Sequence, residues 1–112
     1  MILSMYLVHA RLRAAAGTAV PADVADIVTR HADADTSLEH VSVHNDTGTG
    51  LVLGLFLLAR SLEAAEHSAL QVCLRALSHA PQLRAFTLLQ CSAEAPFAYY
   101  EELLAGEVTA RE

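Results

Sequence analysis

The sequence predicts an α+β fold with the element order β-α-β-β-α-β and a short helix after the last strand. Three observations lead there. Strand-like segments, either alternating or continuously apolar, recur four times. Two stretches of helical periodicity separate the first strand from the second and the third from the fourth. Between the middle pair, Asn45-Asp46-Thr47-Gly48-Thr49-Gly50 reads as a hairpin turn, because glycine and Asn/Asp accept the positive φ angles that hairpins need.

The first strand is expected over Met5–Arg13. Tyr6, Val8, Ala10 and Leu12 point one way, and Leu7, His9, Arg11 and Arg13 the other. After a loop with Gly17, Pro21 stands where a first helical residue tolerates its missing N–H. Val24, Ile27, Val28 and His31 follow at helical spacing, with Asp23 and Asp26 near the positive end of the helix dipole. Asp33-Ala34-Asp35-Thr36-Ser37 stops that helix. The second strand, Leu38–His44, sets Val41 and Val43 against His40, Ser42 and His44. The third, Leu51–Ala59, is nearly all apolar and predicts a central strand buried on both faces. Ser61 caps the second helix, Leu62, Ala65, Ala69, Cys73 and Ala76 form its apolar stripe, Glu63, His67 and Gln71 its wet one, and Pro81 ends it. The fourth strand, Leu83–Cys91, puts Phe86 and Leu88 on one face and Ala85, Thr87, Leu89 and Cys91 on the other. Pro96 opens a third helix carrying Phe97, Tyr100 and Leu104, closed by Gly106.

Right-handed crossovers place both long helices on one face of a four-stranded antiparallel sheet whose first and third strands are central, the ferredoxin-like arrangement. Tyr6, Val8, Ala10, Val41, Val43, Phe86 and Leu88 are expected beneath the helices. Leu7, His9, Arg11, His40, Ser42, His44, Thr87 and Leu89 are expected on the bare face, which is too apolar for solvent and too polar for a plain core.

A chain of 112 residues and 12.0 kDa is read as a single domain with its core over about residues 5–105. Hydrophobic residues make up 54% and charged residues 18%, so part of the apolar surface is expected to be covered, most simply by a second copy in a homodimer. The net charge of −6 and the lack of a basic stripe exclude phosphate-backbone binding and disfavour anionic membranes. All seven basic residues are arginine, which with the abundant alanine points to a GC-rich, bacterial coding sequence. Residues Met1–Val8 lack a basic leader and a cleavage site, Met5 is an alternative start, and no apolar run reaches the roughly 20 residues of a membrane span. The expectation is a soluble cytoplasmic protein. Cys73 and Cys91 match no metal spacing and read as buried thiols outside any disulfide framework.

The apolar third strand running into Ser61-Leu62-Glu63-Ala64, the second helix, and Pro81-Gln82-Leu83 leading to Phe86 resemble the dimeric α+β-barrel proteins. These include small antibiotic-biosynthesis monooxygenases, muconolactone isomerases and polyketide cyclases. The resemblance covers about residues 5–105 as an order of elements and 53–86 in wording. It implies two sheets paired face to face around a small apolar or aromatic molecule. No catalytic signature of those families carries over to residues here.

His9, His40, His44 and Arg11 are the candidate catalytic residues. Histidine moves protons near neutral pH, and an arginine in an apolar cavity binds a carboxylate or enolate. No metal or other cofactor is expected. His40 and His44 lie four residues apart on one strand, roughly 13 Å, and cannot grip one ion together. His9 can approach either only across the third strand, where Gly54 leaves room if it points to that face. Tyr99 and Tyr100 are candidates to close the cavity mouth, with core packing the plainer reading. His31 is read as a satisfied helix-end histidine, His67 and His79 as exposed, and Asp33 and Asp35 as a poor metal proposal in a loop. Asp46-Thr47-Gly48 spells the aspartic-protease tripeptide, but there the aspartate follows an apolar strand and here His44-Asn45 precedes it. Three functions stand: a small biosynthetic enzyme using acid–base chemistry of isomerase, cyclase or monooxygenase type, a non-catalytic ligand-binding or regulatory module, and a structural dimer with a dry sheet interface. Edge-to-edge sheet extension is the alternative to face-to-face pairing.

Overall fold

The computed structural model describes residues 2–33, 36–45 and 50–93. The chain forms β1 (Ser4–Arg13), α1 (Val24–Arg30), β2 (Leu38–Asn45), β3 (Gly50–Ala59), α2 (Leu62–His79) and β4 (Thr87–Ser92). The strands make one antiparallel sheet in the order β2-β3-β1-β4, with the two ten-residue strands β1 and β3 at its centre. An open antiparallel sheet with two helices is an α+β architecture. Positions 46–49, Asp35 and the helix expected over 96–106, with Tyr99 and Tyr100, lie outside the described residues.

Strand alternation builds the core. Val8, Ala10 and Leu12 of β1 and Leu51, Leu53, Leu55 and Leu57 of β3 are essentially inaccessible and pack with Val24, Ile27 and Val28 of α1 and with Ala65, Ala69, Val72, Cys73 and Ala76 of α2. Each fully buried leucine contributes roughly 1.5–3 kcal/mol. The small residues of α2 let that helix lie close to the sheet, and both helices join the same core. The Ser61 side chain accepts from the Ala64 N–H at 3.1 Å at the start of α2. At its end Ala80 is extended (φ −90°, ψ 115°), as a residue before proline prefers.

Several elements depart from expectation for local reasons. The first helix begins at Val24, because Pro21 sits in a preceding turn where its carbonyl accepts from the Val24 N–H at 3.3 Å. Leu62 opens α2 but stays exposed, and the stripe that meets the sheet includes Val72 instead. The fourth strand starts at Thr87. Pro81–Leu83 forms a 3-10 turn, and the N–H groups of Leu83, Arg84 and Phe86 are taken by turn carbonyls before the ladder begins. Leu83 and Phe86 remain in the core from that turn.

Two differences matter for function. The β1–β4 register shifts, so that Leu88 faces Leu12 while Gln90 faces Arg11 and Cys91 faces Ala10. This bulge inserts one residue and reverses the alternation beyond it. Cys91 therefore packs on the core side with Leu88, not on the opposite face. The other difference is in β3. Its odd-numbered residues are buried, but on the other side Val52, Phe56 and Leu58 are only half-buried, so the strand is not enclosed on both faces by the described residues.

Candidate functional site

The sheet face away from the helices is organised by strand register into rows. Ser92, His9, Gly54 and Ser42 form one row across β4, β1, β3 and β2. The next row holds Gln90, Arg11, Val52 and His44, and on the other side lie Leu7, Phe56 and His40. The period of two along each strand thus puts all four candidate residues, His9, Arg11, His40 and His44, on this one face.

Gly54 points to the same face. A Cβ built on it would lie 2.5 Å from Ser42 Oγ and 3.2 Å from Leu7 Cδ1. The hydroxyl of Ser42 and the tip of Leu7 thus close over the space a larger residue would need. A central strand that is apolar on both sides elsewhere drops its side chain here, directly opposite His9.

His9 is the most constrained group on the face. The residue is half-buried, and its Nδ1 is buried with no hydrogen-bond partner among the described residues. Burial, reinforced by the positive charges of His44 and Arg11, holds its pKa below the usual 6.5. His9 is therefore neutral at pH 7. His44, one row away on β2, is near enough for its charge to act on His9. His40 is turned elsewhere: its ring packs against Phe56 with centroids 5.6 Å apart and planes tilted by 47°. Of the two histidine pairings open to the sequence, the structure brings His9 and His44 together electrostatically and seats His40 on an aromatic ring.

The remaining histidines belong elsewhere. His31 Nδ1 donates to the Ile27 carbonyl at 2.8 Å, the satisfied helix-end arrangement expected for it. Its ring stacks on His79, with centroids 6.3 Å apart. Asp33 pairs with Arg75 at 3.4 Å, and Arg75 also donates to the His31 carbonyl at 2.8 Å. Among the described residues no group of three or more His, Cys, Asp or Glu could hold a metal ion. None of their helices is long and apolar enough to cross a membrane. An apolar crevice lined by Leu12, Val28, Leu53, Cys73, Ala76, Leu77 and Leu83 lies on the helix side of the sheet, away from the histidines.

Phe56 was not singled out in the sequence, since nothing in a continuous apolar run separates its two faces. Its position depends on the pairing register of β3 with its neighbours, in which it lies opposite Leu7 and His40. Comparison with family models, with curated proteins and with solved structures found no match to this chain.

Proposed function

We propose that this chain is a small biosynthetic enzyme that moves a proton on an apolar or aromatic small molecule, bound on the histidine-bearing face of a ferredoxin-like sheet. A second copy closes that face, as in a dimeric α+β barrel. The observation that carries the reading is His9: a neutral, half-buried imidazole with a buried nitrogen that has no hydrogen-bond partner among the described residues, set opposite Gly54. A buried polar atom without a partner calls for an explanation, and a site awaiting a ligand supplies one. A lowered pKa keeps the ring unprotonated and able to accept a proton at neutral pH. Arg11 and His44 lie where negative charge developing on the substrate would be stabilised. Phe56 and His40 offer ring faces on which an aromatic ligand stacks. Nothing in this scheme requires a bound cofactor.

The test is hydrogen exchange at activated C–H bonds. The protein is incubated in D2O with a panel of small aryl ketones, and deuterium incorporation is followed by NMR for wild type and His9→Ala. A positioned base contributes roughly 10²–10⁴-fold. Wild type should exceed buffer by at least about tenfold on one panel member, and His9→Ala should return that rate to background. If the variant keeps the wild-type rate, His9 is not the base. Ligand binding without exchange would instead favour the non-catalytic module.

A further inference from the structure

We propose that the molecule held on the open sheet face is an amphipathic anion, a single carboxylate on an apolar or aromatic body, bound with its head at Arg11 and its body over Leu7 and Phe56. The assignment rests on the reading of this face as a ligand site, and it names what the ligand must carry.

Charge is unevenly spread over the molecule. The chain holds 13 acidic residues against seven basic ones, for a net charge of −6. Yet the strand positions registered onto the open face include Arg11, Arg13, His9, His40 and His44, and among the described residues no aspartate or glutamate. Glu39, the acidic residue of β2, falls at the irregularity between Leu38 and His40, out of register. Arginine is charged at every working pH, and each imidazole offers at least one N–H.

Because β1 is central, the neighbours of each arginine on both sides are known. Arg11 lies between Val52 and Gln90, and Arg13 between Gly50 and Thr87. An opposite charge directly across a ladder is a common stabilising pair, and neither adjoining strand supplies one. Face-to-face dimerisation does not remove the charge, since in an isologous pair the partner presents the same face. An anionic ligand does remove it.

Polarity also runs along the strands. The rows of Arg13 and Arg11 form a cationic end. The row of His9, Ser42 and Ser92 is polar, and beyond it Leu7 and Phe56, then Met5 and Leu58, are apolar, with His40 at the β2 edge. Both arginines are exposed and Phe56 is half-buried, so a ligand reaches all three. From the Arg11 row to the Phe56 row is four residues, about 13 Å. That span suits an aromatic ring joined to a carboxylate by a short alkyl chain. Arginine takes a carboxylate through two parallel N–H···O bonds, and the ring rests on the apolar rows. His9 lies in the row between, beside the carbons that join head to body.

The experiment is a 15N-HSQC titration of the full chain with 4-phenylbutyrate and, separately, with the neutral 4-phenylbutanamide, at one pH and ionic strength. The acid should bind at least about tenfold more tightly than the carboxamide, with the shifts centred on β1 and β3. Arg11→Gln should bring that ratio within about threefold by weakening the acid alone. Arg30→Gln, at the exposed end of α1, should leave the ratio unchanged. Should Arg11→Gln fold poorly, the wild-type ratio decides, together with its salt dependence: raising NaCl from about 20 to about 300 mM should weaken the acid and spare the carboxamide. Equal affinity for the two probes, a preference that survives Arg11→Gln, shifts confined to the helix-side crevice at Leu77 and Leu83, or no binding of either probe overturns the assignment. Proton transfer by His9 is judged apart from this, by exchange into uncharged ketones, so the failure of one is distinguishable from the failure of the other.

Discussion

A single imidazole governs what the open sheet face can do. His9 is uncharged in the fold because burial, with the electrostatic influence of His44 and Arg11, opposes its protonation. The same fact has a consequence for stability. With a folded pKa below 6.5, the unfolded chain takes up this proton first as pH falls. The contribution of a neutral His9 is present above the unfolded value and is lost as pH falls through about 6.5 toward the lower folded value. Urea midpoints measured between pH 8 and pH 5 should therefore fall less steeply for His9→Gln than for wild type, and the His9 ring protons should titrate below 6.5 in NMR. Parallel pH profiles, or a His9 titration at or above 6.5, would contradict the burial assigned to it. The residues of this site were readable from the sequence as a set, since alternation alone sorts His9, Arg11, His40 and His44 onto one side. Which of them interact was not, because that depends on register between strands far apart in the chain.

At the scale of elements, the β2–β3 ladder is built around a missing side chain. Gly54 lies opposite Ser42, and a Cβ there would collide with the serine hydroxyl at 2.5 Å. Gly54→Ala should cost about 1–3 kcal/mol, the usual range for overpacking. The cost should largely vanish when Ser42→Ala is added, since the serine Cβ lies at 3.9 Å and only the Leu7 tip must then give way. Urea unfolding of the two single variants and the double variant measures this coupling; additive costs would mean that Ser42 is not the obstacle. Element positions followed from periodicity where one signal dominated, as in β1 and in the Ser61-capped α2. They were missed where local hydrogen bonding competes with the pattern. The turn over Pro81–Leu83 shortens β4, and the bulge turns Cys91 over, because neither a 3-10 turn nor an inserted strand residue changes the count of apolar positions.

For the molecule as a whole, the open face is the surface left to explain. The four strands, of ten, eight, ten and six residues, at about 3.3 Å per residue and about 4.8 Å spacing present roughly 540 Å², about two-thirds of the roughly 800 Å² that each partner contributes to a standard interface. Phe56 and Leu58 lie there half-buried and Met5 is 52% exposed, while the face also carries Arg11 and the histidines. Sedimentation at micromolar concentration should give a dimer for wild type and a monomer for Phe56→Asp, with unchanged far-UV circular dichroism. A wild-type monomer, or a dimer that survives Phe56→Asp, removes face-to-face pairing and turns attention to the edge strands β2 and β4. By itself the sequence determined the α+β class, the succession of strands and helices, and the division of β1 and β2 into a core side and a histidine side, because those follow from local period and capping. Only the tertiary structure decided that Gly54 lies opposite His9 with Ser42 and Leu7 closed over it, that His44 acts on His9 while His40 rests on Phe56, and that Cys91 turns to the core side. Each of these depends on cross-strand register or on one bulge residue, and such alignments are set by packing between segments distant in the chain.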